Sequence, residues 1–193
     1  RVKEDMVIEE GGYLIIEPGS IFEFSEEAGI FCLGKCTAVG TPEDPIIFRP
    51  SGKGWRNITL IGQGTQASRF AYCIVDGAEG GNAGTSSVFL DNTHTVEDVQ
   101  SADEKKRIIF THVSIRNSHS FGNKGFSASR SSILLDSCDI QTSEWRHPAG
   151  AIFLSGSEAV IQSCRITFGT AFSSKEKGQH VTKKIISNLL KEF

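Results

Sequence analysis

Leu135-Asp-Ser-Cys-Asp-Ile140 and Ile161-Gln-Ser-Cys-Arg-Ile166 superpose without a gap, and so do two earlier segments, Phe70-Ala-Tyr-Cys-Ile-Val75 and Phe110-Thr-His-Val-Ser-Ile115. Each begins on a large apolar residue, passes through two variable ones, and reaches Cys or Val. One outward residue and a final Val or Ile complete the segment. The Cys/Val positions 73, 113, 138 and 164 stand 40, 25 and 26 residues apart. A period near 25 with β-branched residues at alternate positions predicts one turn of a stacked solenoid per repeat. The fold class this implies is all-β: a single-stranded parallel β-helix of about five or six coils.

The register extends upstream. Phe126/Ala128 stands nine residues before Leu135, and Ile152/Leu154 nine before Ile161. Val88/Leu90 occupies the same place before Phe110, but about a dozen residues are added between them. The added stretch, Thr95-Val-Glu-Asp-Val-Gln-Ser-Ala-Asp-Glu-Lys-Lys-Arg107, is charged and aperiodic, and reads as a surface loop budding from one coil. It also accounts for the 40-residue interval.

The first half carries short strands separated by Pro-Gly, Leu-Gly-Lys and Gly-Thr-Pro punctuation. Leu14-Ile-Ile-Glu-Pro-Gly19, Gly34-Lys-Cys-Thr-Ala-Val-Gly-Thr-Pro-Glu-Asp-Pro-Ile-Ile-Phe48 and Gly54-Trp-Arg-Asn-Ile58 resemble the opening turns of right-handed parallel β-helix (pectin-lyase-like) repeat domains of bacterial surface and secreted proteins. The resemblance spans roughly residues 7–170. It implies a fold and an extracellular or cell-envelope setting, within a larger polypeptide. It implies no single activity, because this scaffold carries lyases, hydrolases, adhesins and spacers.

A net charge of −3 with both signs interspersed argues against nucleic-acid binding. No apolar run approaches the roughly 20 residues that span a bilayer, so no membrane insertion is expected. Of the five cysteines, Cys32 and Cys36 form a C-x3-C pair with no second pair or histidine to complete a zinc site, so neither metal nor cofactor is expected. Cys73, Cys138 and Cys164 share one inward position with Val113. A residue exchangeable with valine acts as a small hydrophobe, which predicts buried free thiols. A disulfide between Cys138 and Cys164 stays open, although the odd count gives no disulfide framework.

Outward positions are where function would appear. The rows predicted from the motif are Tyr72/His112/Ser137/Ser163 at a turn, Ile74/Ser114/Asp139/Arg165, and Asp76/Arg116/Gln141/Thr167. Asp139 beside Arg165 and Asp76 beside Arg116 read as ordinary cross-strand pairs. Trp145, Arg146 and His147 on the Thr142–Pro148 loop are candidate ligand-binding residues, since an exposed indole with a guanidinium and an imidazole suits a sugar ring. Arg116 and His119 form a second candidate pair; His119 has no orienting acid nearby in sequence. No set of converging carboxylates marks a catalytic centre.

The expectation is a non-catalytic structural or binding module contacting polysaccharide or another surface protein. The alternative is a polysaccharide lyase or glycoside hydrolase with its cleft on the loops at 95–107, 116–124 and 142–148. Residues 1–172 form the β-helix domain. A polar linker from Ser173 then leads to Val181–Phe193, apolar at 181, 185, 186, 189, 190 and 193, which predicts an amphipathic helix that caps the last coil or binds a partner.

Overall fold

The computed structural model describes residues 1–80, 86–118, 124–142 and 151–168. The linker and helix expected over 173–193 lie outside the described residues. The described chain winds through six successive rungs of three strands. The first comprises β1 (Met6–Ile8), β2 (Tyr13–Ile16) and β3 (Ile21–Phe24), and the second β4 (Ile30–Cys32), β5 (Lys35–Val39) and β6 (Ile46–Pro50). The third has β7 (Ile58–Ile61), β8 (Arg69–Ala71) and β9 (Cys73–Asp76). The fourth has β10 (Ser86–Asp91), β11 (Ile108–Thr111) and β12 (Ser114–Ser118). The last two are β13 (Lys124–Ser129), β14 (Ser132–Asp136), β15 (Asp139–Thr142), then β16 (Ile152–Ser155), β17 (Glu158–Gln162), β18 (Arg165–Phe168).

Every third strand joins one parallel sheet, giving three sheets of six strands each. Sheet 1 runs from β1 to β16, sheet 2 from β2 to β17 and sheet 3 from β3 to β18. At about 4.8 Å per rung the stack rises about 24 Å from first to last. This is a parallel β-solenoid, as the repeat requires.

The four-fold motif is the run from sheet 2 into sheet 3. Phe110 pairs in register with Phe70 and Leu135, and Leu135 with Ile161. Ile115 likewise pairs with Val75 and Ile140, and Ile140 with Ile166. The upstream register is also found: Val88 and Leu90 align with Phe126 and Ala128, which align with Ile152 and Leu154. Alternate residues of each strand therefore fill an interior whose columns run the length of the stack.

The first two rungs continue those columns, which the motif alone does not reveal. Ile16 and Ala38 stand below Phe70, and Phe22 and Phe48 below Val75. The obstacle is the corner between sheets 2 and 3. From rung three upward it is one residue in the left-handed region: Tyr72 (φ 49°), His112 (φ 52°), Ser137 (φ 53°) and Ser163 (φ 54°). In the first two rungs the corner is longer, so a gapless alignment fails there. A single αL residue turns the corner and shifts the inward alternation by one residue, as from Phe70 to Cys73. In rungs three to five its N–H donates to the rung above: Tyr72 to Thr111, His112 to Asp136 and Ser137 to Gln162.

Gly34 is needed at the corner between sheets 1 and 2, where an added Cβ would lie 2.3 Å from the Gly12 carbonyl oxygen. Trp55 is 1% exposed, stacks on Phe24 at 4.4 Å between ring centroids and donates from Nε1 to the Asp76 carbonyl at 2.7 Å. Phe70 and Phe110 stack at 4.9 Å, and Phe110 meets Phe126 edge-on at 5.1 Å. These contacts tie all three sheets to one core.

Nine of the twelve motif positions predicted to face inward are buried. Ile161, Cys164 and Ile166 are only half-buried, which corrects the expectation for the last rung. They point inward like their counterparts, but no strand among the described residues stacks above them. All five cysteines are free thiols. Burial pushes the Cys73 thiol up to about 12, and a neighbouring Cys32 together with burial raises Cys36 further.

The Thr95–Arg107 insertion is not wholly irregular. Val96–Ser101 is a short helix, α1, begun by a capping box. The Thr95 hydroxyl accepts from the Asp98 N–H at 3.1 Å, and the Asp98 carboxylate accepts from the Thr95 N–H at 3.3 Å. Ala102, at φ 49°, ends it.

Candidate functional site

The outward face of sheet 3 bears the predicted rows. Ser114 stands between Ile74 and Asp139, Asp139 pairs with Arg165, and Arg116 is in register with Asp76. A β-bulge then interrupts the row: the register between β12 and β15 shifts after Ile115, and Asn117 takes φ 55°. Bulges re-aim side chains. Here Asn117 Nδ2 reaches Asp76 Oδ1 at 2.7 Å, while Arg116 Nε donates to Asp76 Oδ2 at 3.3 Å. Asp76 thus holds Arg116 and Asn117, the two residues at the register shift.

The other acids on this face are matched in the same way. Arg49 donates to Glu23 at 2.6 Å, and its hydrogen bond and charge hold the Glu23 carboxyl below its ordinary value. Asp139 accepts Arg165 Nε at 3.1 Å and Gln141 Nε2 at 3.1 Å, with a second, short contact from Arg165 Nη2. Partial burial works to raise the Asp139 pKa, but these donors outweigh it and the carboxyl is held low. A carboxylate held ionised by a guanidinium on the next rung is a poor proton donor or base near neutrality. The arrangement balances charge along the face from rung to rung.

Two features escaped the sequence reading. Tyr72 and His112 are stacked rings at successive αL corners, their centroids 4.6 Å apart; His112 is exposed and Tyr72 half-buried. The second is His94, 4% exposed, at the corner where the insertion leaves β10. Its Nδ1 accepts the Ser132 backbone N–H at 3.2 Å and faces the Thr93 hydroxyl at 2.8 Å, while Nε2 lies 3.0 Å from the Lys106 carbonyl. A backbone N–H can only donate and a carbonyl only accept, so the ring is neutral with its proton on Nε2. Burial lowers the His94 pKa, against smaller opposing effects of the Lys106 carbonyl, Asp98 and Glu158.

Around that ring the insertion is pinned to the stack at two more points, through Asp98 to Gln66 and through Arg107 to Glu158. Asp98 accepts Lys106 Nζ at 2.6 Å and Gln66 Nε2 at 3.1 Å, and Lys106 first, with Thr95 and Gln66, brings its carboxyl down to about 2. Arg107, 7% exposed, donates to Glu158 at 3.0 Å; Glu158 also accepts the Ser132 hydroxyl at 2.6 Å. Thr95-x-x-Asp98 was the one signal in the sequence that could have announced this local order.

Of the sequence-derived site residues, Arg116 is half-buried and paired with Asp76. Trp145, Arg146, His147 and His119 lie outside the described residues. The three loops of the enzyme alternative do not leave from one corner. The insertion stands between β10 and β11, where sheet 1 passes into sheet 2, whereas Arg116 and the strand ends at Ser118 and Thr142 stand where sheet 3 passes into sheet 1. Among the described residues no group of three or more His, Cys, Asp or Glu side chains is placed to hold a metal, and no helix is long and apolar enough to cross a membrane. Comparison with protein-family models, with curated proteins and with solved structures finds no match to this chain.

Proposed function

We propose that this chain is a non-catalytic structural and binding module of a larger surface or secreted protein, one that contacts polysaccharide or another surface protein. The observation that supports the reading best is the rung-to-rung matching of charge on sheet 3: Glu23 with Arg49, Asp76 with Arg116, Asp139 with Arg165. A lyase or glycosidase needs an acid or base whose proton is free to move, and usually two carboxyl groups about 5–10 Å apart. On this face each carboxylate is instead neutralised by its neighbour, and the stack offers a stiff, regular surface. Trp145, Arg146 and His147 are the residues whose chemistry suits a sugar ring.

The test pairs an activity assay with a binding assay. Pectate and alginate are followed by ultraviolet absorbance for unsaturated products, with and without calcium, and neutral glycans by reducing ends. The expected result is no turnover, and retention of at least one polysaccharide that weakens in Trp145→Ala. Turnover abolished by Arg116→Ala would replace this reading with the lyase or hydrolase one.

A further inference from the structure

Cys138 and Cys164 occupy the same position on adjacent rungs, each immediately before a sheet 3 strand whose first residues, Asp139 and Arg165, are in register. The Cys138 N–H donates to Cys164 Sγ at 3.4 Å. Rungs about 4.8 Å apart place the two Cα atoms within the roughly 4.4–6.8 Å that a disulfide spans. The pair is asymmetric in access: Cys138 is 3% exposed, and Cys164 is half-buried because no strand among the described residues stacks above it. The remaining thiols lack this combination. Cys73 has Val113 above it, and Cys32 and Cys36 are completely buried.

We propose that Cys138 and Cys164 are a redox-active thiol pair that low-molecular-weight disulfides oxidise to a disulfide linking the last two rungs. Cys164 is the attacking sulfur. The neighbouring Cys138 side chain first, and its backbone N–H as donor to Sγ, bring the Cys164 thiol down to about 7, while Cys164 and burial raise Cys138. An accessible thiol titrating near neutrality combines thiolate population with nucleophilicity. The Cys164 thiolate attacks one sulfur of the small disulfide; that S–S bond breaks, a Cys164 mixed disulfide forms and one small thiolate leaves. Cys138 then gives its proton to a departing thiolate and attacks Cys164 Sγ, expelling the second small thiol. The protein loses two electrons and two protons, and one small disulfide becomes two thiols.

The reduced full chain is incubated with oxidised glutathione under native conditions, alkylated with iodoacetamide, and read by intact mass and peptide mapping. The expected result is loss of two alkylation sites and recovery of one Cys138–Cys164 cross-linked peptide. Cys138→Ser should stop at a stable glutathione adduct on Cys164, and Cys164→Ser should not be oxidised at all. Cys73→Ser should behave as the parent. A stable glutathione adduct on the unmutated chain, a cross-link through any other pair, or five alkylated cysteines would each overturn the proposal. The unmutated chain decides the pairing by itself if a variant misfolds.

Discussion

The fifth rung and the sixth carry the same motif and differ in what surrounds it. Leu135, Cys138 and Ile140 are 1%, 3% and 0% exposed, whereas Ile161, Cys164 and Ile166, in register above them, are half-buried. Side-chain direction is set by the period-two alternation and is the same in both. Burial is not a property of the motif. It requires a neighbour on each side, and the sixth rung has one only below among the described residues. In a solenoid each repeat is stabilised by its interfaces, so identical sequence positions contribute unequally along the stack.

The largest expected effect falls in the middle. Phe110→Ala removes a ring that stacks on Phe70 and meets Phe126, and should cost about 3–5 kcal/mol in urea unfolding. A loss no larger than that of a last-rung substitution would break the comparison.

His94 comes next, because it fastens the insertion to rungs four and five. His94→Leu leaves the Ser132 N–H buried without its acceptor and should cost about 1–3 kcal/mol. The unmutated chain should also weaken with acid. The folded-state pKa lies below that of the unfolded chain, so the unfolded chain binds the extra proton first. The stability is therefore complete above the unfolded value of about 6.5 and falls as pH drops towards the folded one. Asp98, Lys106 and Glu158 are the charged groups facing the ring, and His94→Leu should flatten the melting temperature over this window.

Thr95→Ala removes one half of the capping box and should cost about 0.5–2 kcal/mol, read as faster amide exchange over Val96–Ser101 than in the parent. The smallest effect belongs to the sixth rung's surface. Arg165→Gln should change stability by a few tenths of a kcal/mol, while the Asp139 carboxyl, titrated by NMR, should move up towards its ordinary value.

Much of the architecture was legible because it is local and repetitive. The motif by itself carries the strand register, the interior column and the two cross-strand charge pairs. It did not show that Ile16 and Ala38, or Phe22 and Phe48, belong to the same columns, because the longer corners of the first two rungs break the spacing. The bulge at Asn117 was also hidden: it follows from how β12 meets β15, not from the residues of β12 alone. His94 looked like one polar residue among several, since its partners Ser132 and Lys106 are brought to it only by the stacking of rungs. The candidate face was readable as paired charge; the stacked Tyr72 and His112 rings were placed at the right turn without their contact being seen.

The central claim is that neighbouring rungs, rather than the motif itself, confer stability. Ile140→Ala and Ile166→Ala, measured side by side by equilibrium urea unfolding, test it most directly. The account predicts a loss of about 2–5 kcal/mol for Ile140→Ala, which opens a cavity between two rungs, and about 1 kcal/mol for Ile166→Ala. Equal losses at the two positions would contradict it.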